Sequence, residues 1–318
     1  MNKVLITGAA GFIGSHLSER LLQTGVHVIG VDNFDSFYDR SIKERNLAVL
    51  KEYKNFSFIE MDLRVASSFN TLPTTLDAVI HLAAKAGVLP SIKDPNGYLE
   101  ANLAGTMNLL EFMRQHEIKK YVFASSSSVY GNNKIIPFSE ADAVDNPISP
   151  YAFSKKSGEL LNHTYHHLYK IDTVNLRFFT VFGPRQRPDL AIHKFFKLIY
   201  NNQPVTLYGD GSTARDYTFV QDTVTGIVAA LRFVMEKEGV FETFNLGNNS
   251  PVSLIDLINT IYQVIGKEPN IQYMPMQPGD VDITYANIEK AKVMLGYNPK
   301  TTLLDGLKAF KEWYNEKN

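Results

Sequence analysis

A chain of 318 residues, 44% hydrophobic and 20% charged, is long enough for about two compact units. Its 32 Lys and Arg against 33 Asp and Glu leave a formal charge of −1, which gives no field to hold nucleic acid or an acidic membrane face. Without cysteine there is no disulfide framework, thiolate metal site or thiol nucleophile; without a signal-peptide core or an apolar run of about 18 residues, the chain reads as cytoplasmic with no membrane partner.

The first predicted strand, 3–7, runs into Gly8-Ala-Ala-Gly11-Phe12-Ile13-Gly14 and then a helix whose apolar face carries Phe12, His16, Leu17 and Leu21. A glycine-rich turn there aims backbone amides and the helix dipole at an anion, and a pyrophosphate fits. The spacing is G-x-x-G-x-x-G. A second strand, 27–32, ends on Asp32, 18 residues beyond Gly14, where a carboxylate accepts both ribose hydroxyls of adenosine and repels a 2′-phosphate. That favours NAD over NADP. Strands 56–61 and 78–82 follow, and Asp62-Leu63 and Leu82-Ala83-Ala84 sit at their carboxyl ends, where such sheets hold the rest of a cofactor. The next helix is predicted from Leu99, Leu103, Met107 and Leu110, and strands 120–125 and 173–177 complete six βα units. The fold class is α/β, a doubly wound parallel sheet of Rossmann type with a smaller C-terminal substrate-binding region.

Between those last strands lie the groups that carry chemistry. Ser125-Ser126-Ser127-Ser128 leaves the carboxyl end of its strand, and its hydroxyls can donate to a sugar oxygen. Tyr151 and Lys155 are four apart on a helix opening after Ser149-Pro150, so they share a face. Lowering a tyrosine by about three pH units costs roughly 4 kcal/mol, which a nearby ammonium and a positive nicotinamide ring can supply. His163, His166 and His167 read as a solvated or interface face rather than a metal site, so no metal is expected. After Arg177 the chain turns to Gly- and Pro-marked loops and short helices: 192–200, then 253–265 and 303–314, with an apolar run at 244–247 able to rejoin the sheet. The expected division is 1–178 plus 217–247 for the NAD-binding unit and 179–216 plus 248–318 for the nucleotide-sugar region.

On Thr7 to Gly14, Tyr151-Ala-Phe-Ser-Lys155 and Gln277-Pro-Gly-Asp280, the chain resembles the extended short-chain dehydrogenases/reductases, and within them the nucleotide-sugar epimerases and dehydratases. Val31 to Asp39, Ser125 to Gly131 and Leu176 to Leu190 are most similar to UDP-glucuronate 4-epimerases. The resemblance implies that Ser126 relays a proton with Tyr151, which takes the proton of the sugar 4-hydroxyl, while Lys155 binds the nicotinamide ribose. It places Asn33 beside Asp32, and Asn102 and Phe178, near the cofactor. It places Thr180 where UDP-galactose 4-epimerases carry an asparagine, Arg215 on the diphosphate and Asp280 near the uridine ribose; Arg185 and Arg187 read either as ordinary loop charges or as groups touching substrate or its gate. Relatives often read Ala-Gly-Val-Arg where this chain has Ala86-Gly87-Val88-Leu89, so one cation is missing.

The implied reaction is transient oxidation at carbon 4 of a UDP-sugar, UDP-glucuronate going to UDP-galacturonate, in a homodimer joined through the helices near 98–116 and 151–169. Dehydratases and decarboxylases carry an acid where Ser127 and Ser128 stand, which argues against dehydration. With a glucuronate the 4-ketone is a β-keto acid, and Ser127, Ser128 and Thr180 are expected to hold its carboxylate out of overlap with the ketone. The rivals are a 4-epimerase of UDP-glucose or UDP-N-acetylglucosamine and, from another class, a non-catalytic NAD-binding scaffold.

Overall fold

In the computed structural model, which describes residues 2–275 and 283–317, β-branched runs form six strands in the first half of the chain. They are β1 (Lys3–Thr7), β2 (His27–Asp32), β3 (Phe56–Glu60), β4 (Ala78–His81), β5 (Lys120–Ser126) and β6 (Asp172–Phe178). The second half adds β7 (Thr180–Phe182), β8 (Val205–Tyr208), β9 (Ala214–Phe219), β10 (Phe241–Leu246), β11 (Pro251–Ser253) and β12 (Ile271–Met274). Around the first strands run helices α1 (Phe12–Gln23), α2 (Arg40–Lys51), α3 (Val88–Lys93), α4 (Pro95–Leu99), α5 (Gly105–Gln115) and α6 (Pro150–Tyr169). Then come α7 (Ala191–Tyr200), α8 (Val220–Glu236), α9 (Leu254–Ile265), α10 (Glu289–Leu295) and α11 (Leu303–Lys317).

The main sheet has seven strands in the order β10-β6-β5-β4-β1-β2-β3, every neighbour parallel. The run at 244–247 does rejoin the sheet, as part of β10 beside β6. Because side chains alternate across a strand, Val4 and Ile6 of β1 join one apolar layer, with Leu17 and Leu21 of α1 and Ile227 and Leu231 of α8. Leu5 joins the opposite layer, with Leu109 and Leu110 of α5 and Tyr165 of α6. Both faces are covered, as a parallel sheet requires. Chain order reverses at β1, flanked by β2 and β4, so a crevice opens at their carboxyl ends.

The predicted helix through Leu99, Leu103 and Met107 departs from expectation. A π-helical turn at Glu100–Ala104 separates α4 from α5. The wider turn shifts the buried stripe to Asn102, Thr106, Leu109 and Met113, and leaves Met107 40% exposed. A third apolar cluster belongs to the C-terminal region: Phe196 of α7, Leu207 of β8, Ile258 and Ile261 of α9 and Phe310 of α11. It sits with a sheet ordered β11-β9-β7 and the pair β12-β8. The expected boundary at 217 falls inside β9, whose Tyr217 packs in this third cluster. Among the described residues no helix is long and apolar enough to cross a membrane.

Candidate active site

The turn after β1 is shaped by the absence of side chains. Gly8 has φ +73°, and a Cβ there would come within 2.9 Å of the Ala83 nitrogen at the end of β4. On Gly14 a Cβ would lie 2.1 Å from the Gly8 carbonyl oxygen. Bare backbone is what lets α1 start this close to the sheet and point its first amides into the crevice. Asp32, the last residue of β2, accepts from the Phe34 amide at 2.8 Å and from Lys43 Nζ at 3.1 Å. A phosphate-sized cradle with a carboxylate one strand away fits an NAD pyrophosphate and adenosine ribose. Gly8, Gly11, Phe12, Ile13, Gly14, Asp32 and Asn33 line one cavity of about 850 Å³. Asp62, Leu63, Leu82, Ala83, Ala84 and Phe178 line it further along.

At the far end α6 delivers Tyr151 and Lys155. Ser149 caps it by accepting from the Ala152 amide at 3.1 Å, Pro150 takes the first turn, and Lys170 closes it in a left-handed conformation. One turn past Lys155, Glu159 pins the helix to the sheet: Ser125 Oγ donates to it at 2.6 Å and Arg177 clasps it with two bonds of 2.9 and 3.0 Å. Tyr151, Lys155 and Ser126 consequently all line the cavity. Lys155 Nζ donates to the Ala124 carbonyl at 2.7 Å, and burial pushes it down to about 7. Burial pushes the Tyr151 phenol up, against a hydrogen bond with Ser126 and the charge of Arg187, which pull it back. The lysine is itself desolvated and turned to a carbonyl, and the opposing protein groups are Ser126 and Arg187.

Ser127, Ser128, Thr180, Arg187 and Arg215 line the same end of the cavity. The Ser128 hydroxyl oxygen is buried with no hydrogen-bond partner among the described residues, although its amide donates to Ser126 Oγ. Arg187 is held by Asp189 through bonds of 2.9 and 2.7 Å and donates to the Ala86 carbonyl at 3.2 Å. It thus brings a guanidinium to the segment that leads to Leu89, which is 63% exposed. Arg185 points elsewhere, to Glu19 on α1 at 2.7 Å.

Asn102 is also placed differently from expectation. Its amide clamps the Lys85 peptide, accepting from the nitrogen at 2.8 Å and donating to the oxygen at 2.9 Å, so it shapes the Ala84–Ala86 wall without lining the cavity. Asp280 lies outside the described residues. His163 and His166 pack on the ring of Phe241. The sequence reading assigned no role to several residues that line the cavity, among them Lys43, Phe37 and Tyr38. Lys43 had a signal, since it occupies the buried stripe Lys43, Asn46, Leu47, Leu50 of α2, where a charge needs a partner.

Comparison with known proteins adds relatives to this geometry. A sequence profile described as GDP-mannose 4,6 dehydratase matches residues 5–310. The chain is 42% identical to a UDP-glucuronate 4-epimerase of Thermodesulfobacterium geofontis, over 99% of this chain and 97% of that one. It superposes with a TM-score of 0.92 on the UDP-glucuronic acid 4-epimerase of Bacillus cereus in complex with UDP-glucuronic acid and NAD, at 37% identity, covering 99% of this chain and 100% of the other. The UDP-glucose 4-epimerase of Thermotoga maritima with UDP-glucose gives 0.89 at 31% identity, covering 99% of each chain.

Proposed function

Since this chain belongs to the NAD-dependent nucleotide-sugar epimerase family, we infer that it interconverts UDP-glucuronate and UDP-galacturonate through a transient ketone at carbon 4. One observation carries the reading: Tyr151, Ser126 and Lys155 meet at the end of a dinucleotide cavity whose adjoining wall offers neutral hydroxyls, Ser127, Ser128 and Thr180, instead of an acid.

NAD, when bound, supplies the acceptor and later the donor of hydride at carbon 4. Gly8, Gly11 and Gly14 would hold its pyrophosphate, Asp32 its adenosine ribose and Lys155 its nicotinamide ribose. Tyr151 takes the proton of the 4-hydroxyl as the ketone forms, assisted by Ser126, and returns it once the sugar presents its other face. Arg215 anchors the diphosphate while the hexuronate turns. The buried Ser128 hydroxyl, with Ser127 and Thr180, binds the carboxylate without adding like charge. With the bond to the carboxyl carbon held out of overlap with the ketone, loss of carbon dioxide is slow.

Residues 1–178 plus 217–247 carry the cofactor and 179–216 plus 248–318 the nucleotide-sugar, a division supported by the separate C-terminal cluster, with β9 straddling its border. The active unit is a homodimer. Met107, Phe153, Leu160 and Leu168 leave 40–58% of their surface open along α5 and α6, and pairing two copies there covers them. Incubating the purified protein in parallel with UDP-glucuronate, UDP-glucose and UDP-N-acetylglucosamine and reading each product sugar by NMR tests the substrate. UDP-galacturonate forms at the highest rate; faster turnover of an uncharged sugar would overturn the assignment.

A further inference from the structure

The segment leaving β2 is built before any ligand arrives. Asp32, Asn33 and Asp35 each accept from the amide two residues ahead, at 2.8, 3.0 and 3.0 Å, and Asp39 then caps α2. These turns project Phe37 back over the carboxyl edge of the sheet. There the Arg187 guanidinium, arriving from the loop after β7, sits 5.0 Å from the centre of the Phe37 ring. Phe37 follows β2, on one side of the reversal at β1, and Arg187 follows β6 and β7, from the other side, so their contact joins segments that leave opposite sides of the crevice. The Gly8–Gly14 turn, Leu82–Ala84 and the Ser126–Tyr151–Lys155 group line the cavity they share with Phe37 and Arg187. Two bonds from Asp189 fix the guanidinium plane, and the Ala86 carbonyl ties the loop after β4 into the same junction.

We propose that Phe37 and Arg187 form a clasp across the dinucleotide cavity that slows escape of the cofactor, which makes Phe37 a positioning residue for cofactor retention. The need follows from the reaction: an enzyme that oxidises and then reduces the same carbon has no use for a cofactor that leaves between the two steps. The proposal rests on the NAD part of the functional reading and is independent of the sugar.

The test compares Phe37→Leu, which keeps apolar bulk without a π face, with Phe37→Tyr, which keeps the face. Each protein is loaded with NADH and chased with excess ADP-ribose, and release is followed by loss of bound fluorescence. Phe37→Leu is expected to release NADH about tenfold faster than native protein, with Phe37→Tyr close to native and all three cofactor-free forms unfolding at the same temperature. Equal release from native protein and Phe37→Leu overturns the clasp, as does Phe37→Tyr releasing as fast as Phe37→Leu. Failure of the native protein to turn over UDP-glucuronate while these release rates still differ overturns the sugar reading alone.

Discussion

In the proposed reaction Tyr151 is the base, and its surroundings set the cost of ionising it. Burial raises the phenol, so Ser126, Arg187 and the cofactor's own positive ring have to favour the ionised form. Tyr151→Phe should lower kcat by about 10²–10⁴-fold while the as-purified NAD content stays native, measured by product chromatography and by absorbance of the released nucleotide. The hydroxyl wall makes a different prediction. Replacing Ser127 and Ser128 together with Ala should raise the share of UDP-4-keto-pentose among the products of UDP-glucuronate, and an unchanged ratio would show that these hydroxyls do not restrain the carboxylate. That Tyr151, Lys155 and Ser126 line one cavity was legible in sequence because helical spacing and a strand's carboxyl end fix direction without long-range knowledge. The roles of Asn102 and Arg185 were not. Whether an amide meets a cofactor or clamps Lys85, and whether an arginine meets substrate or Glu19, depends on partners 17 and 166 residues away.

At the scale of elements, α1 is tied to the loop that carries Arg187. His16 donates from Nε2 to the Pro184 carbonyl at 2.9 Å, and its Nδ1 accepts from Gln221 on α8 at 3.1 Å. Burial, reinforced by the charge of Arg185, pushes His16 down from 6.5 to about 4. The neutral ring is therefore the folded form, and its contribution to stability is complete above about pH 6.5 and is lost as pH falls through about 4. It amounts to at most about 3 kcal/mol. In thermal unfolding, His16→Gln, which keeps a donor for Pro184, should lose less Tm between pH 6.5 and 4 than native protein; parallel curves would contradict this. His81 retains part of the acid sensitivity in both, because burial holds it down to about 3. Apolar runs predicted the six strands of the first half to within a residue, since a parallel sheet covered on both faces leaves most of their positions buried. Helical periodicity misread 99–107 while placing Leu110 correctly, because a π turn changes which positions face inward and leaves no mark on a 3.6-residue pattern.

For the whole molecule, a parallel sheet with its reversal at β1 dictates where the cofactor lies, and the βα rhythm made that visible from sequence. The C-terminal region was less legible. Its strands are short, it interleaves with the first unit, and its core joins Phe182, Phe196 and Phe310 from distant stretches. Assembly is predicted from the open faces of α5 and α6: Leu160→Glu should halve the mass seen by light scattering without changing the circular dichroism spectrum, whereas a persistent dimer would place the interface elsewhere. The central claim concerns the carbon–hydrogen bond at sugar carbon 4, and NMR of UDP-glucuronate turned over in D₂O examines it most directly. Transient oxidation predicts UDP-galacturonate whose carbon-4 position remains protium, since that hydrogen never enters water. Deuterium at carbon 4 of the product would contradict the account.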